Sequence, residues 1–179
     1  MTFLDASSPE RRLHERCGAI CLVVFDVDGV MTDGKLYLGP EGEEIKTMHV
    51  RDGLGLKRLM AAGITPAVIS GRPSTMVARR MAELGVEHVF LASDDKTRDY
   101  ETLLTTLGLT DQQAAMMGDD LPDLDLMQRT GLALAVANAV PEVILAAHWV
   151  SQRPGGEGAV REACELIISC QSASTTTGG

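Results

Sequence analysis

Short apolar runs alternate with amphipathic stretches along most of the chain. The runs are Cys21–Phe25, Ala67–Ile69, His88–Leu91, Ala114–Met117, Leu132–Val136 and His148–Val150, and each gives way to a small or polar residue. Unbroken runs of this length read as strands buried on both faces. Between them lie Leu54–Ala62, Pro73–Leu84, Thr97–Leu107, Leu121–Arg129 and Ala159–Ile168. In the second of these, Met76, Val77, Met81 and Leu84 recur at helical spacing while Arg79, Arg80 and Glu83 take other directions. Gly63, Gly85, Gly108 and Gly131 stand where these helices should end, at positions that favour a left-handed residue. The repeated strand–helix alternation predicts an α/β fold, a doubly wound, mostly parallel sheet wrapped on both faces.

One segment breaks the rhythm. Lys35–Leu38 and Glu44–Met48 flank Gly39-Pro40-Glu41-Gly42, which predicts a small β-hairpin inserted after the first strand, over about residues 33–49. No segment is long enough to form a cap domain. Residues 1–17 read as an N-terminal extension, residues 18–171 as one domain, and the SASTTTGG stretch of residues 172–179 as a disordered tail.

Composition narrows the function. A chain of 179 residues with 45% hydrophobic and 23% charged residues is an ordinary globular domain. Sixteen basic residues against 25 acidic ones give a net charge of −9, and with 3% aromatics and no basic block this excludes a nucleic-acid backbone binder. No apolar run approaches a membrane span, and the first 16 residues lack the apolar region of a signal peptide. Cys17, Cys21, Cys164 and Cys170 form no CxxC pair, and no Cys-x5-Arg stretch occurs, so a cysteine-phosphatase route is closed. Reduced thiols and an acidic composition point to a cytoplasmic protein.

Ligands of open parallel sheets bind beyond the carboxyl ends of the strands. Those ends read Asp26-Val27-Asp28-Gly29, Ser70-Gly71-Arg72, Asp94-Asp95-Lys96 and Gly118-Asp119-Asp120. Asp26 and Asp119, with a backbone carbonyl such as that of Asp28, supply hard oxygen ligands suited to Mg2+. Carboxylates gathered this closely repel one another unless a cation sits among them. Pro73 suits a first helical position, so free N–H groups after Ser70 can face an anion. Lys96 adds a point charge for a phosphoryl oxygen. The set calls for a metal and a phosphate. Gly53-Leu54-Gly55 is a fragment of a dinucleotide fingerprint, but it follows no strand and lacks the third glycine. The nine methionines read as core fillers, and His14, His88 and His148 as structural or surface residues.

DVDGV, ISGR, DDK and GDDLPD resemble, in order and spacing, the four motifs of haloacid-dehalogenase-type phosphatases. DVDGVMTDGKLYLGPEGEE, HVRDGLGLKRLMAAGI and GGEGAVREACELI resemble the cap-less group that acts on 3-deoxy-D-manno-octulosonate 8-phosphate in lipopolysaccharide precursor synthesis. The likeness runs from about Ala19 to Gln171. It implies Asp26 as nucleophile and metal ligand, and Asp28 as general acid/base whose carbonyl joins the metal. It implies Ser70 and Lys96 as phosphate binders and Asp119 as the third protein contact of Mg2+. His49, Val50, Arg51, Asp52, Gly53, Lys57, Gly71, Arg72 and Arg80 fall where the group contacts substrate. Asp120 and Asp123 are expected to position metal waters or Lys96.

Two positions depart from the group: His49 stands where Asn is frequent, and Glu157 replaces the cation of a GGRG stretch. The resemblance also implies a homotetramer in which the hairpins join, with the stretch from Gly155 closing over substrate. A nonulosonate 9-phosphate is an alternative substrate. A phosphoacceptor signalling module is the alternative from another class, although it would place adjacent acids after the first strand.

Overall fold

Four-residue runs with no exposed side chain, such as Leu22-Val23-Val24-Phe25, have to be covered on both faces, and the fold arranges this with one parallel sheet. The computed structural model describes residues 8–41 and 44–176. The strands are β1 (Leu22–Phe25), β2 (Tyr37–Leu38), β3 (Glu44–Ile45), β4 (Thr65–Ser70), β5 (His88–Leu91), β6 (Ala114–Gly118), β7 (Leu132–Ala135) and β8 (Trp149–Val150). The helices are α1 (Pro9–Gly18), α2 (Val50–Ala61), α3 (Thr75–Leu84), α4 (Lys96–Leu107), α5 (Leu124–Arg129), α6 (Pro141–Ala146) and α7 (Ala159–Thr176).

Six strands pair in the order β5-β4-β1-β6-β7-β8, every pair parallel, with Phe25 opposite Val68 on one side and Met117 on the other. The chain winds outward from β1 to β4 and β5, then returns to β6 and winds the other way. This reversal opens a crevice at the carboxyl ends of the central strands. Flanking helices complete the doubly wound α/β arrangement expected from the sequence. β2 and β3 form the separate antiparallel hairpin, with Tyr37 opposite Ile45. Among the described residues, no helix is long and apolar enough to cross a membrane.

Several local expectations change. The extension expected over residues 1–17 contains α1, which starts at an N-cap where the Ser8 hydroxyl accepts from Arg11 N, and which buries Cys17 in the core. Its only apolar side chains are Leu13 and Cys17, four residues apart, so the charged PERRLHER sequence conceals a one-stripe helix. α7 continues to Thr176, into the stretch expected as a tail, because α1 and α2 pack against it and Gln171 Nε2 donates to the Ile20 carbonyl at 2.7 Å. Residues 1–7, residues 177–179 and Gly42 of the expected turn lie outside the described residues.

Leu121–Arg129 is split into a 3-10 turn and the short α5, because Pro122 removes a backbone donor and Asp120 caps the turn. Pro73 is not the first residue of a helix. α3 begins at Thr75 after Ser74, whose hydroxyl accepts from Val77 N. Gly63, Gly85 and Gly108 do adopt positive φ at helix ends, but Gly131 does not; there, a Cβ would lie 2.4 Å from the Gln112 carbonyl oxygen. Close backbone approach, not a left-handed turn, explains that glycine.

Candidate active site

Strands β5, β4, β1 and β6 are neighbours in the sheet, so their carboxyl ends meet at one edge. Asp26, Asp28, Ser70, Gly71, Arg72, Lys96, Asp119, Asp120, Pro122 and Asp123 line a cleft of about 280 Å3 there. Lys96 opens α4, after a loop in which Ala92 takes a positive φ of 57° and Ser93 N donates to the Ser70 carbonyl. That loop aims Lys96 back into the cleft. Its Nζ donates to Asp26 Oδ1 at 2.6 Å and to Asp123 Oδ1 at 2.8 Å. The other oxygen of Asp123 accepts from Asp119 N at 3.0 Å and Asp120 N at 3.4 Å, closing the turn after β6.

Asp26, Asp119 and Asp123 bring a carboxylate oxygen each to within 4.8 Å of one another. This is a hard-oxygen donor set of the kind Mg2+ takes. Both oxygens of Asp123 are already committed to Lys96 and the backbone, which makes it a brace and leaves Asp26 and Asp119 as the free donors. The electrostatics agree. Burial, then Asp123, pushes Asp26 up to about 7 against the pull of Lys96. Burial, then Asp26 and Asp123, does the same to Asp119, also to about 7. Burial works against the Lys96 ammonium, yet Asp26 and Asp123 together hold it above the usual lysine range. Such a cluster is short of positive charge. Gly29, at φ 106°, leaves room for it: a Cβ there would lie 2.0 Å from Asp119 Oδ2.

The Asp28 carboxylate points to a different set of partners. Lys46, whose side chain is 2% exposed, donates to its Oδ1 at 2.5 Å and lies 3.3 Å from Glu44. Arg72 donates to Glu44 Oε2 at 2.8 Å and lies 3.8 Å from Asp28 Oδ2. The Arg72 hydrogen bond holds the Glu44 carboxyl below the usual range. Glu44 and Lys46 are not among the site residues expected from the sequence. Their spacing of two in β3 and just beyond, with the exposed Ile45 between them, is the signal that places them on one side of the hairpin.

The remaining expected residues divide. Val50 and Arg80 line a second cavity of about 260 Å3 beside Lys46, together with Met48, Met76 and Val77. His49 caps α2, its Nδ1 accepting from Arg51 N at 3.1 Å. Arg51 and Lys57 are exposed on α2. Asp52 is 4% exposed and accepts from Arg161 N at 2.8 Å, tying α2 to the start of α7. Gly53 is buried where a Cβ would meet the Arg80 guanidinium. The stretch from Gly155, expected as a flap, packs against the loop after β1. Gly156 N donates to the Val30 carbonyl at 3.0 Å and Gly155 N to Asn138 Oδ1 at 2.9 Å. Glu157 is exposed just beyond.

Comparison with known proteins accords with this geometry. Residues 88–162 match the model of the haloacid dehalogenase-like hydrolases. The 3-deoxy-D-manno-octulosonate 8-phosphate phosphatase KdsC of Yersinia pestis is 43% identical over 157 residues, which is 88% of this chain and 84% of the relative. A crystal structure of the Yersinia pestis enzyme superimposes with a TM-score of 0.88 at 42% identity, covering 90% of this chain and 87% of that one. The Moraxella catarrhalis enzyme, solved in complex with magnesium, phosphate and KDO, gives a TM-score of 0.86 at 38% identity, with 93% and 98% covered. At this identity over nearly the whole length of both chains, the protein belongs to the 3-deoxy-D-manno-octulosonate 8-phosphate phosphatase family of haloacid dehalogenase-like hydrolases.

Proposed function

We propose that this protein hydrolyses the phosphate ester of 3-deoxy-D-manno-octulosonate 8-phosphate, releasing the keto-sugar acid and phosphate for lipopolysaccharide precursor synthesis. The observation that carries the reading is the Asp26–Lys96–Asp123 chain of hydrogen bonds, with Asp119 beside it, at the bottom of an open cleft. The binding of magnesium, phosphate and KDO by the Moraxella catarrhalis relative supports the same ligand set.

Asp26 and Asp119, with the backbone carbonyl of Asp28, would hold Mg2+. When bound, the ion supplies positive charge against the charge that spreads over the transferring phosphoryl oxygens. Asp26 attacks phosphorus, and the P–O ester bond breaks with its electron pair going to the sugar oxygen. Asp28, two residues along the same loop, protonates that oxygen. It then takes a proton from the water that hydrolyses the aspartyl phosphate, regenerating the Asp26 carboxylate. Lys96 orients Asp26 and, with Ser70, holds the phosphoryl oxygens. Gly71 and Arg72 lie at the mouth of the cleft. His49, Val50, Arg51, Asp52, Gly53, Lys57 and Arg80 form or support the region that receives the sugar.

Four cations (Arg51, Lys57, Arg72 and Arg80) exceed what one phosphate needs on a chain of net charge −9, which favours a substrate that also carries a carboxylate. The assembly is a homotetramer built on the hairpins, whose Leu36, Tyr37, Leu38 and Ile45 are exposed. Its compartment is the cytoplasm, where its four cysteines, none of them in a disulfide, stay reduced. The test is phosphate release over a panel of octulosonate 8-phosphate, a nonulosonate 9-phosphate and glucose 6-phosphate, with Mg2+ and with chelator. The octulosonate ester should give the highest kcat/KM, Mg2+ should be required, and Asp26→Asn should be inactive. Equal specificity constants for glucose 6-phosphate and the octulosonate ester would overturn the substrate assignment.

A further inference from the structure

Two buried carboxylate oxygens at the cleft have no hydrogen-bond partner, Asp28 Oδ2 and Glu44 Oε1. Both belong to one quartet of charges: Asp28, Glu44, Lys46 and Arg72. The quartet is neutral, but its geometry is incomplete. Lys46 satisfies one oxygen of Asp28, and Arg72 sits 3.8 Å from the other, too far for a hydrogen bond, while that oxygen is closed to solvent. Arg72 is kept in that place by Glu44, which reaches across from the hairpin to take its Nη2 at 2.8 Å. Glu44 Oε1 has only the poorly aligned Lys46 ammonium at 3.3 Å, and Asp28 Oδ2 has no donor within reach. Buried oxygens this poorly satisfied are costly, so the arrangement is poised to rearrange when a better partner arrives. A phosphate or carboxylate offers a pair of oxygens that an arginine fork can bind with two parallel hydrogen bonds.

We propose that Glu44 is a stand-in anion. In the free enzyme it holds Arg72 across Asp28, and an anionic substrate takes its place at the guanidinium, uncovering Asp28 Oδ2. Glu44 is thus a positioning and specificity-determining residue: a ligand gains entry to Asp28 only if its own negative charge can displace a carboxylate. A neutral ligand has to leave the pair closed. The proposal rests on the reading above that Asp28 and Arg72 face the substrate.

The test measures binding of inorganic phosphate by calorimetry in saturating Mg2+, using the full chain and four proteins: wild type, Glu44→Gln, Arg72→Met and the double variant. Glutamine keeps the shape of Glu44 and an oxygen for Lys46, so folding is preserved, and circular dichroism checks it. Glu44→Gln should bind phosphate about 3- to 5-fold more tightly, the size of a half-exposed ion pair that no longer competes. In the Arg72→Met background the same change should have no effect. Unchanged or weaker phosphate binding by Glu44→Gln overturns the proposal. So does an equal gain in both backgrounds, which would reflect lost negative charge alone and not a freed Arg72. Turnover of octulosonate 8-phosphate by wild type, measured beside it, separates this failure from a failure of the assigned reaction. Wild type that takes up no phosphate overturns both.

Discussion

Removing the metal should make the stability of the fold depend on pH in a particular direction. Asp26, which is 6% exposed, and Asp119 hold their protons up to about 7, against an ordinary value of 3.8. Both therefore bind a proton more tightly folded than unfolded. The stability this contributes is fully present below about pH 4 and is lost as pH rises to 7. Each pKa unit is worth about 1.4 kcal/mol, so about three units amount to roughly 4 kcal/mol. The two acids are coupled and titrate as a pair, so this figure is taken once for the cluster. Between pH 5.5 and 7.5 about half of it, ~2 kcal/mol, should disappear, a fall in Tm of roughly 4–8 °C for a domain of this size.

Other groups titrate here too. Burial holds His148 below the ordinary histidine value, which acts in the opposite sense, and burial raises Asp52. Neither touches the metal cluster, so both contribute equally with and without Mg2+. The quantity to follow is the difference in Tm between Mg2+ and chelator at each pH, by scanning fluorimetry or calorimetry. It should grow from pH 5.5 to 7.5, as protons stop competing for the carboxylates, and level off above that. In Asp26→Asn/Asp119→Asn the growth should vanish. A difference that is flat with pH, or one whose growth the double variant retains, would show that Asp26 and Asp119 are not the groups that trade protons for Mg2+.

Asp28→Asn should lower turnover of alkyl phosphates by several orders of magnitude and of an activated aryl phosphate much less in the burst phase, since a good leaving group needs no proton; equal burst losses would contradict the acid role. Gly155→Ala places a Cβ 1.6 Å from the Gly29 carbonyl oxygen, a backbone obstacle that cannot swing aside, and should cost about 3 kcal/mol in urea unfolding; unchanged stability would show that the Gly155 contact is not tight. Leu38→Asp/Ile45→Asp, on side chains 68% and 58% exposed, should convert a particle of four times 19.1 kDa into monomers in light scattering and reduce activity with it. A fully active wild-type monomer would remove the tetramer from the account.

Much of the site was legible because its residues sit at strand ends, where a run of apolar residues must stop and the chain must expose something polar. Asp26, Ser70 and Asp119 are of this kind, and Lys96 and the brace Asp123 follow within five residues of a strand end. Glu44 and Lys46 were not legible in the same way. Glu44 opens the two-residue β3 and Lys46 follows it in a charged hairpin, where the ordinary reading is a solvated pair, and only the fold shows the Lys46 side chain to be buried against Asp28. Asp52 is the reverse case. It belongs to a motif that reads as substrate contact, yet it is buried under the start of α7.

By itself, the order of residues determined the strand–helix alternation, the parallel sheet and the candidate site residues expected at its edge. Those features depend on local periodicity and on the topological rule that sheet ends carry ligands. The tertiary structure decided what the acids pair with. Whether a carboxylate faces Mg2+, a lysine or a backbone N–H depends on which loops from distant parts of the chain converge on it. Gly155 and Gly156 reach the loop after β1 from more than 120 residues away, and α1 packs against α7 from the other end of the chain. Such contacts are set by close packing between elements, and close packing has no period along the sequence.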